Sequence, residues 1–192
     1  MQYRQLGSTG LIVSRLALGG STFTQGDTSL GAFYKVGPEL VDEMVGKALD
    51  AGVNYFDTAD VYASGQSEQL LGAALKPHRD RIVLSTKVGN RGAGHKELLH
   101  SGLSRRHILW SVDESLKRLG TDWIDFYNVH RIDPFTPLEE TLEALDAVVR
   151  AGKVRYIGFS NWPAWLAATA IAEQKANGLA RFTHGQMYYS LL

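Results

Sequence analysis

The chain contains no cysteine, so disulfide bonds, thiolate catalysis and zinc–thiolate sites are excluded. It also lacks an excess of charge of either sign, because 20 basic residues balance 20 acidic ones. Without a field of one sign to attract nucleic acid or an anionic membrane, we expect neither as a partner. A small-molecule substrate is the more natural expectation.

Metal ligands and long apolar runs are scarce as well. No metal-binding spacing is shared by His78, His95, His100, His107 and His184, most of which lie in polar segments typical of solvent-facing roles. No apolar run approaches the roughly 18 residues of a membrane span, and the first residues lack the apolar core of a signal peptide. We therefore expect no metal and a cytoplasmic protein. The 44% hydrophobic content predicts one compact domain over residues 1–192.

What the sequence does have is a strict alternation of predicted strands and helices. A turn at residues 7–10 and alternating residues up to Gly19 predict a β-hairpin, which could plug one end of a barrel, and a first buried strand. Further strands are predicted over 53–58, 81–88, 123–130, 155–159 and 182–188. Helices are predicted between them over 38–50, 68–75, 104–119, 137–149 and 164–176, with Thr136 as the N-cap of the fourth.

This alternation restricts the fold. Strands separated by helices pair in parallel through right-handed crossovers, which leaves a doubly wound sheet or a (β/α)8 barrel. A nucleotide-binding doubly wound sheet would place Gly-x-Gly-x-x-Gly after its first strand, whereas here Gly19 and Gly20 open a long loop. The sequence therefore predicts an α/β fold of the (β/α)8, or TIM, barrel type. Complete barrels run to about 250 residues, so we expect six strands and a missing C-terminal part.

Polar residues follow the ends of the predicted barrel strands, where active groups of such barrels lie. Asp57 and Tyr62 follow the second strand, Lys87 ends the third and His130 ends the fourth. Strand alternation predicts that Lys87 points into the barrel together with Ser85 and Val83. It predicts the same for the residues that share a face with His130, namely Asn128, Phe126 and Ile124.

These four residues could protonate a carbonyl oxygen. The ammonium group of Lys87 would stabilise the phenolate of Tyr62 and make it a better acid, and Asp57 would keep Lys87 charged. His130 could hydrogen-bond the carbonyl oxygen or share the proton. No amino-acid side chain donates hydride, so a nicotinamide cofactor is implied. Suitable partners for its carboxamide are Ser160, Asn161 and Gln186.

Five motifs, in order, resemble the aldo-keto reductase family. They are residues 3–11 (YRQLGSTGL), 56–62 (FDTADVY), 85–87 (STK), 119–131 (LGTDWIDFYNVHR) and 158–161 (GFSN). The resemblance covers nearly the whole chain and implies NADP(H)-dependent reduction of aldehydes or ketones, and the reverse oxidation. It implies Asp57, Tyr62, Lys87 and His130 as catalytic residues, with Ser160, Asn161 and Gln186 at carboxamide-binding positions. Residues 186–192 resemble the family's sixth strand. In the family, the segments expected after this strand hold the cofactor's phosphates and choose between NADP(H) and NAD(H).

Other functions stay open. A Schiff-base lyase would need a neutral amine at Lys87, and the neighbouring Asp57 argues against it. A non-catalytic nicotinamide-binding or regulatory module, as in channel-associated members of the family, would bind nicotinamide without turnover. A reductase fragment without most of its cofactor-binding segments would be inactive. An unclosed parallel sheet also leaves two open edges, through which we expect self-association.

Two sets of loop residues have both a functional and a structural interpretation. The aromatic residues Phe23, Phe33, Tyr34 and Trp162 either line an apolar substrate pocket or pack locally. The loop over 89–102, with Arg91, His95 and Lys96, is either a phosphate contact or a solvated lid, and we favour the lid.

Overall fold

The computed structural model describes residues 1–26, 33–90 and 98–190. In these ranges the chain begins with an antiparallel hairpin of β1 (Tyr3–Gln5) and β2 (Ile12–Ser14). One parallel sheet of six strands follows, each strand paired with its neighbours in sequence. Its strands are β3 (Leu18–Gly19), β4 (Tyr55–Asp57), β5 (Val83–Val88), β6 (Ile124–Val129), β7 (Val154–Ser160) and β8 (Phe182–Gln186).

An α-helix connects each strand of this sheet to the next. The helices are α1 (Pro38–Asp50), α2 (Gln66–Leu75), α3 (Arg105–Leu119), α4 (Leu138–Arg150) and α5 (Ala164–Ala176). A sheet whose strand order follows the chain, with a helix in every crossover, is the arrangement of a (β/α) barrel. The predicted fold class and the predicted order of elements are therefore confirmed. Within the described ranges, no helix is long and apolar enough to cross a membrane.

The start of α4 differs from the prediction by one residue. Pro137, not Thr136, is the N-cap, with a non-helical φ of −53° and ψ of 140°. The Thr136 hydroxyl donates instead to Asp133 Oδ2 at 2.6 Å. The Thr136 hydroxyl, which was predicted to cap the helix, is thus bound to Asp133. Asp133 also accepts a hydrogen bond from the backbone N–H of Phe135 at 2.9 Å.

The outer face of the sheet packs against the helices. Phe56, Leu84 and Tyr127 on the strands are at most 1% exposed and belong to one apolar cluster with residues such as Ile108 and Leu145 on the helices. Burying a large apolar side chain contributes roughly 1.5–3 kcal/mol. This cluster is therefore the main source of stability, and it leaves the inner face of the sheet free for polar residues.

The hairpin covers the N-terminal ends of the barrel strands. Val13 on β2 packs with Val83 and Phe126, which point into the barrel, and the Ser8 backbone N–H donates to the Thr183 carbonyl at 3.2 Å. The predicted plug is confirmed. Ile124, predicted to face inward, instead joins the helix-side cluster. Ile124 is the first residue of β6, where it pairs with Val154 on β7, whereas pairing with β5 begins only at Phe126.

Candidate active site

The rim, meaning the C-terminal ends of β3 to β8 and the turns and loops after them, contains Asp57, Lys87, Tyr62 and His130. Lys87 is only 2% exposed, and its Nζ donates to Asp57 Oδ2 at 2.6 Å and to the Thr58 carbonyl at 2.7 Å. A buried ammonium needs such partners, because an unpaired charge in the interior is strongly unfavourable. The predicted inward direction of Lys87 is confirmed.

Tyr62 lies next to this ion pair. The Lys87 Nζ is 5.1 Å from the centre of the Tyr62 ring, and the His130 ring meets the same phenol edge-to-face at 5.7 Å. The structure therefore brings Asp57, Tyr62, Lys87 and His130, which we call the tetrad, into one site. A phenol between an ammonium and an imidazole is an arrangement suited to proton donation.

His130 is kept neutral by its surroundings. Burial, together with the positive charges of Lys87 and Arg131, lowers the pKa of His130 to about 4. Its Nδ1 lies 2.8 Å from Asn90 Nδ2. Because an amide nitrogen donates, Nδ1 accepts and the ring proton lies on Nε2. His130 can then donate one hydrogen bond to an oxygen at the rim.

Sequence reasoning did not identify Asn90. The residue lies two positions after β5, so it shares the strand-end position that identified the other site residues. Its polar side chain at that position is the signal that could have indicated it.

The carboxamide trio, Ser160, Asn161 and Gln186, lies at the ends of β7 and β8. Asn161 has a left-handed backbone with φ of 55°, and its Nδ2 donates to Ser160 Oγ at 3.1 Å. Gln186 Nε2 reaches Asp57 Oδ2 at 3.4 Å, so the trio and the tetrad meet at one rim.

The donor set of the trio fits a carboxamide. A carboxamide presents one carbonyl and one NH2 group, and the trio offers a hydroxyl and two amides that can satisfy both. Asp57 Oδ1 is buried without a hydrogen-bond partner in the described part of the chain, which leaves an acceptor at the same rim.

A polar layer lies inside the barrel below the rim. Lys87, Asn128, Gly158 and His184 occupy paired positions on β5 to β8. A Cβ atom on Gly158 would lie 2.5 Å from Asn128 Oδ1 and 2.6 Å from His184 Nε2. Burial lowers the pKa of His184 to about 4. Far from facing solvent, His184 therefore depends on a glycine for its space.

Two of the rim aromatic residues do not line a pocket. Phe23 is fully buried and Trp162 is 3% exposed, and both belong to the helix-side apolar cluster. Trp162 stacks on Phe159 with ring centres 5.6 Å apart, so local packing explains it. Phe33 is 56% exposed and meets Tyr34 edge-to-face at 5.3 Å. The basic residues on which the interpretation of the loop over 89–102 depends, Arg91, His95 and Lys96, lie outside the described residues.

Comparison with known proteins finds similarity along the chain. Residues 15–192 match the sequence model of the aldo/keto reductase family. The chain is 38% identical over its whole length to versiconal hemiacetal acetate reductase from Aspergillus parasiticus, covering 60% of that protein. It is 39% identical to aldo-keto reductase YhdN from Bacillus subtilis (84% of this chain, 47% of the relative). It is 41% identical to a probable voltage-gated potassium channel subunit beta from Oryza sativa subsp. japonica (85% and 48%). The chain thus spans 47% to 60% of the length of these relatives.

Proposed function

The chain belongs to the aldo/keto reductase family, and from this premise we propose that its rim catalyses NADPH-dependent reduction of an aldehyde or ketone to an alcohol, and the reverse oxidation. The observation that supports the proposal best is the position of Lys87 Nζ, 2.6 Å from Asp57 Oδ2 and 5.1 Å from the centre of the Tyr62 ring. This geometry suits a proton donor whose conjugate base is stabilised by an ammonium.

In the proposed reaction, His130 and Tyr62 act on the carbonyl oxygen, and Lys87 and Asp57 support Tyr62. His130 Nε2–H donates a hydrogen bond to the carbonyl oxygen, which orients it and polarises the bond. When bound, reduced nicotinamide supplies the hydride that the carbonyl carbon accepts. Tyr62 gives its hydroxyl proton to the oxygen, which becomes the alcohol. Lys87 stabilises the phenolate left on Tyr62, and Asp57 keeps the ammonium in place.

The trio would hold the cofactor's carboxamide. Ser160 Oγ, Asn161 and Gln186 present groups that can donate to its carbonyl and accept from its amide. NADPH and NADH share this nicotinamide end, so the trio supports either cofactor. Selection between the two must rest on residues that meet the rest of the molecule.

A second candidate function is nicotinamide binding without turnover. The 41% identity to a probable potassium channel subunit beta favours it, because that relative is named for an assembly and not for a reaction. The sheet offers one possible contact surface: within the described residues, β8 pairs with β7 on one side and with no strand on the other. Unpaired strand edges associate with other chains. We therefore propose that copies of this chain associate with each other through β8.

The experiment is a titration of NADPH followed by addition of an aromatic aldehyde. Cofactor fluorescence measures binding, and absorbance of the reduced nicotinamide measures turnover. We expect Tyr62→Phe to bind NADPH like the wild type and to lose turnover by ~10²- to 10⁴-fold. Tyr3→Phe, which changes a tyrosine on the hairpin at the opposite end of the barrel, is the matched control and should stay active.

Each outcome separates the candidates. Turnover that survives Tyr62→Phe would disprove the proton-donor role. Binding without turnover in the wild type would favour the non-catalytic module, and absence of binding would contradict both proposals for this chain.

A further inference from the structure

The turn that carries Tyr62 has a backbone conformation that residues with a Cβ rarely adopt. Ala63 (φ 47°, ψ 40°) and Ser64 (φ 55°, ψ 38°) are both left-handed, and Gly65 follows at φ 90°. A left-handed backbone is sterically unfavourable for every residue other than glycine. Such strain persists only where the surrounding structure determines the conformation strongly. Contacts on either side of Tyr62 must therefore hold this turn.

The first anchor lies two residues before Tyr62. Asp60 is completely buried, and its Oδ2 accepts a hydrogen bond from Ser111 Oγ on α3 at 3.3 Å. Its backbone N–H donates to the Lys87 carbonyl at 3.3 Å. Burial and the nearby charge of Glu68 raise the pKa of the Asp60 carboxyl well above its ordinary value, which favours its uncharged form. Asp60 thus joins the start of the turn to α3 and to β5.

The second anchor lies six residues after Tyr62. Glu68 is also completely buried, with Oε2 accepting from Arg118 Nε on α3 at 2.6 Å. Its Oε1 accepts from the Thr86 hydroxyl on β5 at 2.6 Å. Removing one partner of a buried ion pair is strongly destabilising, because it leaves an uncompensated charge in the interior. Glu68 is therefore held firmly between the same helix and the same strand as Asp60.

Both anchors end on one face of α3. Ser111 and Arg118 are seven residues apart, which is about two helical turns, and Ser115 between them accepts from Arg118 Nη2 at 3.3 Å. On β5, Thr86 is adjacent to Lys87 in sequence. The strained turn is thereby tied on both sides to α3 and to β5, the strand that carries Lys87.

We propose that Asp60 and Glu68 are positioning residues, which hold the strained turn through α3 and so keep the Tyr62 phenol beside Lys87 and His130. The catalytic meaning of this placement rests on the proposed function, whereas the placement itself does not. The proposal adds two buried carboxyl groups that touch neither substrate nor cofactor to the residues on which Tyr62 depends.

The test follows the Tyr62 ring without cofactor or turnover. Tyrosines are labelled with 13C at Cζ, and the Tyr62 resonance is identified by its loss in Tyr62→Phe. In Glu68→Gln we expect this resonance to move towards the positions of the exposed Tyr188 and Tyr189. The matched control is Asp125→Asn, which removes the carboxylate of another buried pair, Arg79 with Asp125 at 2.8 Å. It should lower the melting temperature comparably and leave the Tyr62 resonance in place.

A milder variant guards against loss of folding. Ser111→Ala removes the hydrogen bond to Asp60 without removing a charge, and it should move the Tyr62 resonance in the same direction by a smaller amount. In protein that turns over, kcat should fall by roughly tenfold or more in Glu68→Gln while KM for the carbonyl stays within about twofold, as expected for a lost transition-state contact.

Two results would overturn the proposal. One is a Tyr62 resonance that stays in place in both Glu68→Gln and Ser111→Ala. The other is an equal movement in Asp125→Asn, which would reduce the effect to general destabilisation. A wild-type chain that reduces no carbonyl would count against the proposed function alone, because the resonance measurement needs no reaction.

Discussion

The tetrad and the carboxamide trio share one rim but are supported in different ways. Lys87 lies on an interior strand, is 2% exposed and has two short hydrogen bonds to neighbouring elements. Gln186 lies on β8, is exposed, and reaches Asp57 only at 3.4 Å. Lys87 is thus fixed by short contacts to neighbouring elements, whereas the Gln186 side chain of the trio is exposed and has only a long contact with the tetrad. Substitutions in the tetrad should therefore change the free energy of unfolding, and substitution of Gln186 should change cofactor binding.

The largest expected effect is that of Lys87→Met. It leaves the Asp57 carboxylate buried without its cation, which typically costs ~3–5 kcal/mol of the free energy of unfolding. Urea denaturation measures this, with Lys47→Met as the control, because the Lys47–Glu43 pair is exposed and such pairs contribute at most ~1 kcal/mol. The double variant Asp57→Asn with Lys87→Met should recover part of the loss. A loss in Lys87→Met no larger than in Lys47→Met would remove the contrast between the two groups.

The sequence was sufficient to predict the tetrad for a physical reason. Parallel strands joined by helices bring their C-terminal ends together, so residues far apart in sequence, such as Asp57 and His130, could be assigned to one rim. Strand alternation then oriented Lys87 inward. It did not predict the surroundings of Ile124, which joins the helix-side cluster although it pairs with Val154 on β7.

The remaining site features depend on contacts between elements. The positioning role that we propose for Asp60 and Glu68 depends on their contacts with α3, which begins some 40 residues later in the chain. No local sequence pattern indicates these contacts. Trp162 was open to two interpretations because its position in a rim loop does not show which way the ring turns. Its packing on Phe159 is a property of the folded core.

Gly158→Ala tests the packing of the polar layer inside the barrel. Its new Cβ would lie 2.5 Å from Asn128 Oδ1 and 2.6 Å from His184 Nε2, so one side chain must move. We expect a loss of ~1–3 kcal/mol, as for other overpacked interiors, measured by thermal unfolding. The control is Gly19→Ala, whose Cβ meets nothing within 4 Å. If adding His184→Ala to Gly158→Ala restores no stability, the close approach to His184 is not the cause.

The next effect is a pH dependence to which His130 of the tetrad and His184 of the polar layer inside the barrel both contribute. His130 and His184 have pKa values lowered to about 4, against an ordinary value of about 6.5. Between these values the unfolded chain binds protons that the folded chain does not. The free energy of unfolding should therefore fall as pH drops from about 6.5 to about 4, by ~1–3 kcal/mol for each histidine. Above pH 7 neither contributes a slope.

Stability curves of His130→Gln and His184→Gln measured at several pH values test this assignment. Each variant should have a flatter profile between pH 4 and 6.5 than the wild type, and an unchanged slope between pH 7 and 8. Variant profiles that run parallel to the wild type at acid pH would show that the histidines are protonated equally in both states.

The smallest expected effect is that of Gln186→Ala, and it should appear in binding alone. The side chain is exposed, and surface changes of this kind usually alter stability by less than ~0.5 kcal/mol. Losing one hydrogen bond to the carboxamide should weaken binding by ~0.5–1.5 kcal/mol. This loss corresponds to an increase in the Kd for NADPH by a factor of roughly 2 to 13. Fluorescence titration measures it, with Gln5→Ala on the hairpin at the opposite end of the barrel as the control. An unchanged Kd together with a clear loss of stability would reverse the contrast, since Gln186 would then support Asp57 and not the cofactor.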